Sequence, residues 1–76
     1  MKIIISHLHE DIRIGTLAER LENFGKVTSI RIYSEDRKYP FAIAEMPYAH
    51  EAQEAIEELD GLEWSGNKLR VKEAEW

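Results

Sequence analysis

Apolar residues recur along this chain with two alternating periods. Lys2 to His7 contains three consecutive isoleucines, a β-branched run typical of a mostly buried strand. Ile14, Leu17, Ala18 and Leu21 then fall at i, i+3, i+4 and i+7, which lays one apolar stripe along an amphipathic helix. Gly25, just past Phe24, supplies the permissive backbone that ends a helix. Val27, Ile30 and Ile32 carry strand character as far as Tyr33, and Ser34 to Lys38 is polar throughout, a loop. Tyr39 to Met46 reads as a third strand with Pro40 at its beginning, where a missing donor is tolerated. Ala52, Ala55, Ile56 and Leu59 repeat the helical stripe, and Asp60-Gly61 stops it. Leu69 and Val71 alternate with Lys68, Arg70 and Lys72, giving a last strand with one apolar and one basic face.

This order predicts an α+β, ferredoxin-like βαββαβ fold, a four-stranded antiparallel sheet with two helices on one face. Each helix is apolar on one side only, so both must cover the same face of the sheet. The other face is left to solvent or a partner, and its side chains are not required by the fold. Strand alternation puts Lys2, Ile4, Ser6, Arg31, Tyr33, Phe41, Ile43, Glu45, Lys68, Arg70 and Lys72 on that open face.

Composition narrows the function. With 76 residues, the chain is expected to be one small domain spanning 1–76, and such a domain buries only about 60–65% of the surface its unfolded chain exposes. That leaves no internal cavity for a complex substrate. There is no cysteine, hence no disulfide framework, thiolate metal site or cysteine nucleophile. The apolar run Ile3 to Ile5 is far too short for a membrane span, and a cytoplasmic location is expected, or a nuclear one in a eukaryote. The net charge of −5 argues against a globally basic nucleic-acid binder. The acids, however, cluster on the helical segments: Glu10, Asp11, Glu19 and Glu22, then Glu51, Glu54, Glu57, Glu58 and Asp60. The open sheet face holds five cations and one anion, so it is locally basic. Outward lysines also discourage edge pairing, a role that needs no ligand.

Glu22 to Val27 and Ala52 to Gly61, with Trp64, Gly66, Leu69, Val71 and Ala74 at their spacings, together resemble the RNA recognition motif (RRM) family over essentially the whole chain. Glu22-Asn23-Phe24-Gly25-Lys26-Val27 looks like the family's helix exit into its second strand. Ala52-Gln53-Glu54-Ala55-Ile56-Glu57-Glu58-Leu59-Asp60-Gly61, followed by Trp64, Gly66, Leu69, Val71 and Ala74, is similar to the second half of an RRM almost position by position. The two ribonucleoprotein motifs are degenerate. The hexamer falls on Ile3-Ile4-Ile5-Ser6-His7-Leu8, with Ile4 in place of the stacking aromatic and His7 in place of Asn. The octamer falls on Tyr39-Pro40-Phe41-Ala42-Ile43-Ala44-Glu45-Met46, where Phe41 and Ala42 fit while Tyr39, Pro40 and Ile43 depart from the pattern. Base–aromatic stacking is worth ~1–3 kcal/mol per base, so two lost platforms forfeit up to ~2–6 kcal/mol. Isoleucine recovers part of this through apolar contact, and the remainder corresponds to roughly thirtyfold or more in affinity.

The resemblance implies non-catalytic binding of single-stranded RNA, or single-stranded DNA, across the sheet. Phe41 would be the main stacking platform and Tyr33 a second. Arg31, Arg70 and Lys72 would meet phosphates or base edges, and Ile4 and Ile43 would cushion bases. Lys2 and Ser6 share the face, and Trp76 is expected to fold onto it. The alternative is a protein-interaction or self-association module that uses Ile4, Ile43, Phe41 and Tyr33 as an apolar patch, or the acidic second helix. Arg37 and Lys38 lie in the loop that often clamps nucleic acid in RRMs. No enzyme signature is present: Glu51, Glu54, Glu57 and Glu58 read as a solvated helical face, and His7 and His9 lack further metal ligands at useful spacing. No cofactor is expected. Trp64 and Met46 read as core.

Overall fold

The computed structural model describes residues 1–34 and 39–74. Strand β1 (Lys2–Ser6), helix α1 (Ile14–Glu22), strands β2 (Ser29–Tyr33) and β3 (Phe41–Glu45), and helix α2 (Ala49–Leu59) follow in order. A two-stranded hairpin of β4 (Glu63–Trp64) and β5 (Asn67–Lys68) precedes the last strand, β6 (Arg70–Glu73). The main sheet is antiparallel with the order β2-β3-β1-β6. This is the ferredoxin-like arrangement, with both helices behind one face.

The three isoleucines of β1 show why one face is covered and the other is not. Ile3 and Ile5 are wholly buried, while Ile4 between them is only partly so. β3 repeats the alternation, with Ala42 and Ala44 fully buried and Phe41, Ile43 and Glu45 on the other side. Leu17 and Leu21 of α1 and Ala52, Ala55 and Leu59 of α2 join Ile3, Ile5, Met46, Leu69 and Val71 in one core cluster. Neither helix has a side-chain N-cap bond, so packing of these stripes, more than end chemistry, holds the helices in place.

The structure corrects several details of the sequence pattern. β1 stops at Ser6, because His7 adopts a left-handed φ of 64°, a region in which Asn and His are enriched among non-glycine residues. β2 begins at Ser29 and not at Val27, and β3 begins at Phe41 and not at Tyr39. Pro40 has no N–H to contribute to the ladder, but its carbonyl accepts the Leu8 N–H at 3.0 Å. Ile14 opens α1 yet is 48% exposed, so the α1 stripe begins in effect at Leu17. Gly25 does not end α1, which closes at Asn23 in right-handed conformation. Gly25 is instead needed for close approach: any Cβ there would collide with the Glu51 side chain. Glu51 accordingly leaves the solvated acidic face of α2 and accepts the Lys26 N–H at 3.0 Å. At the other end of α2, Gly61 turns the chain at φ 84°, and the Asp60 carboxylate accepts the Val71 N–H at 3.0 Å, tying the helix exit to β6.

Candidate nucleic-acid interface

The strand register sorts the open face into rows. In the central row, Arg31 pairs with Ile43, Ile43 with Ile4, and Ile4 with Lys72. Two apolar residues therefore sit between two cations. One step along, Tyr33 pairs with Phe41 and Ser6 with Arg70, and continuing the β1–β3 register past Ile5–Ala42 brings Ser6 beside Phe41. On the opposite side of the central row, Ser29 and Lys2 both pair with Glu45. Nine of the ten residues singled out in the sequence thus lie on one face: Lys2, Ile4, Ser6, Arg31, Tyr33, Phe41, Ile43, Arg70 and Lys72. Trp76 lies outside the described residues, as do Arg37 and Lys38.

Aromatic and ionic contacts give this surface its character. The rings of Tyr33 and Phe41 stack with centroids 5.0 Å apart and planes 16° from parallel. Together they form one aromatic unit near the corner of the sheet, with Tyr33 still 40% exposed. Among the described residues no lysine or arginine lies within ion-pair distance of a carboxylate, so Lys2, Arg31, Arg70 and Lys72 are held by none. The Ser6 hydroxyl donates to the Arg70 carbonyl at 3.3 Å. Its proton is therefore used within the sheet, and only its oxygen lone pairs face outward. A depression of about 220 Å³ opens beside this surface, lined by Lys2, Ser29, Arg31, Tyr33, Ile43 and Glu45.

One expectation about a neighbouring residue changes. Lys68 belongs to the β4–β5 hairpin, opposite Glu63, and so leaves the open face of the main sheet with four cations. There it lines a second depression of about 410 Å³ with His7, Asp60, Gly61, Leu69 and Arg70. His7 and His9 do not act as a pair. His7 Nδ1 lies 2.9 Å from the Lys68 carbonyl oxygen and donates to it, and its ring meets Tyr39 at 4.5 Å. His9 Nδ1 accepts the Asp11 N–H. No group of three potential metal ligands occurs among the described residues. Trp64 is half-buried against the core, beneath the Arg20 guanidinium 5.0 Å from its ring. The sequence did not point to the Tyr33–Phe41 stack or to the Arg31–Ile43–Ile4–Lys72 row as units, because both depend on inter-strand register.

A split βαβ sheet with this strand order, backed by two helices and carrying its ring stack and cations on the opposite face, defines a sheet-face module. The RNA recognition motif profile matches residues 3–70, and the chain belongs to that family. Two proteins with the name RNA-binding protein RbpA, from Synechocystis sp. and Nostoc sp., are each 30% identical over 77 residues, covering 97% of this chain and 76% of theirs. Among solved structures, RNA Binding Protein PG1 is 36% identical with a TM-score of 0.87, covering 97% of this chain and 93% of that one. The third RRM of Pes4 superposes with a TM-score of 0.92 at 22% identity, covering 97% and 90% of the two chains, which is a likeness of fold.

Proposed function

We infer that the chain, acting as one unit over residues 1–76, binds single-stranded RNA without catalysis across the open face of its sheet. The observation that carries this reading is the placement of charge. Four cations with no carboxylate partner among the described residues surround the Tyr33–Phe41 stack and the Ile4–Ile43 pair, while Glu19, Glu22, Glu51, Glu54, Glu57 and Glu58 lie on the two helices. A single strand needs this combination, with phosphates on cations and bases on apolar and aromatic groups. The relatives named for RNA binding support the same reading.

In this reading Phe41, braced by Tyr33, is the stacking platform. Arg31, Lys2, Arg70 and Lys72 meet phosphates or base edges, Ser6 offers an acceptor, and Ile4 and Ile43 supply apolar contact where RRMs usually carry rings. The affinity is correspondingly modest. Titration of a labelled random RNA oligonucleotide at about 50 and 200 mM salt tests the reading. Binding should weaken linearly in log–log form, with a slope no steeper than about −3 if all four cations engage phosphates of a single strand. Equal affinity for the matched DNA strand would widen the ligand class to single-stranded nucleic acid. Absence of binding at high micromolar protein would sink the reading and favour a protein-interaction or self-association role for the Ile4–Ile43 patch.

A further inference from the structure

We propose that the depression beside Tyr33 is a base-selecting subsite for guanine, with the Glu45 carboxylate as its reader. The proposal rests on the reading that the open face binds RNA, and it assigns that face a sequence preference.

Glu45 is the one carboxylate among the outward residues of the four-stranded sheet. On a surface that only holds phosphates, a carboxylate weakens binding by like-charge repulsion. Glu45 is nevertheless half-buried in the depression with Lys2, Arg31, Ser29, Tyr33 and Ile43. Neither cation lies within ion-pair distance of it. The carboxylate therefore has no hydrogen-bond or ion-pair partner among the described residues and stands open to solvent beside two cations in the same state, with Tyr33 and Ile43 lining the same depression. Its backbone is fixed, because the Glu45 carbonyl accepts both the Thr28 N–H at 2.9 Å and the Thr28 hydroxyl at 3.3 Å.

Base edges differ in how well they complement this set. Guanine alone presents two adjacent donors, N1–H and the N2 amine, which match the two oxygens of one carboxylate. It also carries the O6 and N7 acceptors, which suit Arg31 or Lys2. Adenine and cytosine each offer one amine beside a ring acceptor that faces the carboxylate unfavourably. Uracil flanks its single N3–H with two carbonyl oxygens and is the worst match. The ring of the selected base would lie against Tyr33 and Ile43, one step from the Phe41 stack, so neighbouring nucleotides can occupy both places.

The test uses the full chain and a short oligouridine with one central position varied, titrated by fluorescence anisotropy at about 50 mM salt. Guanosine at that position should bind roughly tenfold tighter than uridine, the scale of a good bidentate base contact. Inosine, which lacks the N2 amine, should fall between them. Glu45→Gln should compress the guanosine-to-uridine ratio to about twofold or less while the uridine strand binds at least as well as before. Binding of all strands with equal affinity, inosine equal to guanosine, or an undiminished ratio in Glu45→Gln each overturns the guanine assignment while leaving RNA binding intact. Failure of every strand to bind overturns the RNA-binding reading and this proposal together.

Discussion

Tyr33 and Phe41 face each other across β2 and β3, and their rings stack at 5.0 Å. The one ring retained at the family's stacking positions is thus supported by a second ring that those positions do not include. The support is mutual. A cross-strand aromatic pair contributes ~0.2–1 kcal/mol to stability, whereas a base stacked on a ring contributes ~1–3 kcal/mol to binding.

Phe41→Ala should therefore weaken RNA binding by about 1–3 kcal/mol, while Tm falls by no more than about 8 °C. A melt run beside a titration reads both quantities. A collapse in stability with unchanged affinity would place Phe41 in the core and reverse the facing of β3. Tyr33→Ala should lower affinity in the same direction through loss of the brace.

Restoring rings at the degenerate positions should strengthen binding. Ile4 and Ile43 are direct cross-strand partners, so Ile4→Tyr and Ile43→Phe together add adjacent platforms beside Phe41. The double variant should gain at least tenfold in affinity, since each stacked base is worth ~1–3 kcal/mol. A double variant that binds no better than the parent would mean that the central row is not where RNA lies.

The isoleucine run offers an internal control on the fold. Ile3 and Ile5 are fully buried and Ile4 is not. Ile5→Ala should cost about 2–5 kcal/mol of stability, and Ile4→Ala only about 1 kcal/mol. Urea denaturation of the two variants measures the contrast. Equal losses would show that both sheet faces are covered in solution.

Gly25 and Glu51 should behave as a coupled pair. Gly25→Ala drives a methyl group into the Glu51 side chain and breaks its bond from the Lys26 N–H. It should cost more than the ~1 kcal/mol of a lost hydrogen bond. In Glu51→Ala the same glycine substitution should be nearly harmless. A double-mutant cycle with a coupling energy below ~0.5 kcal/mol would contradict the contact.

Much of this molecule was legible in the sequence because periodicity reports burial directly. Leu17 and Leu21, then Ala52, Ala55 and Leu59, were marked by spacing alone and are all buried. Strand alternation likewise sorted Ile4 from Ile3 and Ile5. Features set by distant partners stayed hidden. Gly25 looks like a helix stop until Glu51, 26 residues later, is seen to occupy the space a side chain would need. Lys68 follows the alternation of β6, but the β4–β5 hairpin claims it. Ile14 fits the helical stripe, yet as the first residue of α1 it is left half-exposed. The shared depression that holds Glu45 needs three strands in register before it exists.

The two-sided distribution of charge makes the sign of the long-range field depend on the medium. The chain measures 31 × 22 × 21 Å, and the screening length is about 10 Å in 0.1 M salt but about 30 Å in 0.01 M. In the more concentrated medium an approaching polyanion senses mainly the side it is nearest, so the cationic front attracts it and the helical back turns it away. In the dilute medium the whole molecule is within range and its net charge of −5 dominates, opposing the encounter from every direction. Association rates should accordingly rise and then fall as salt is added, with the maximum where the screening length drops below the thickness of the domain.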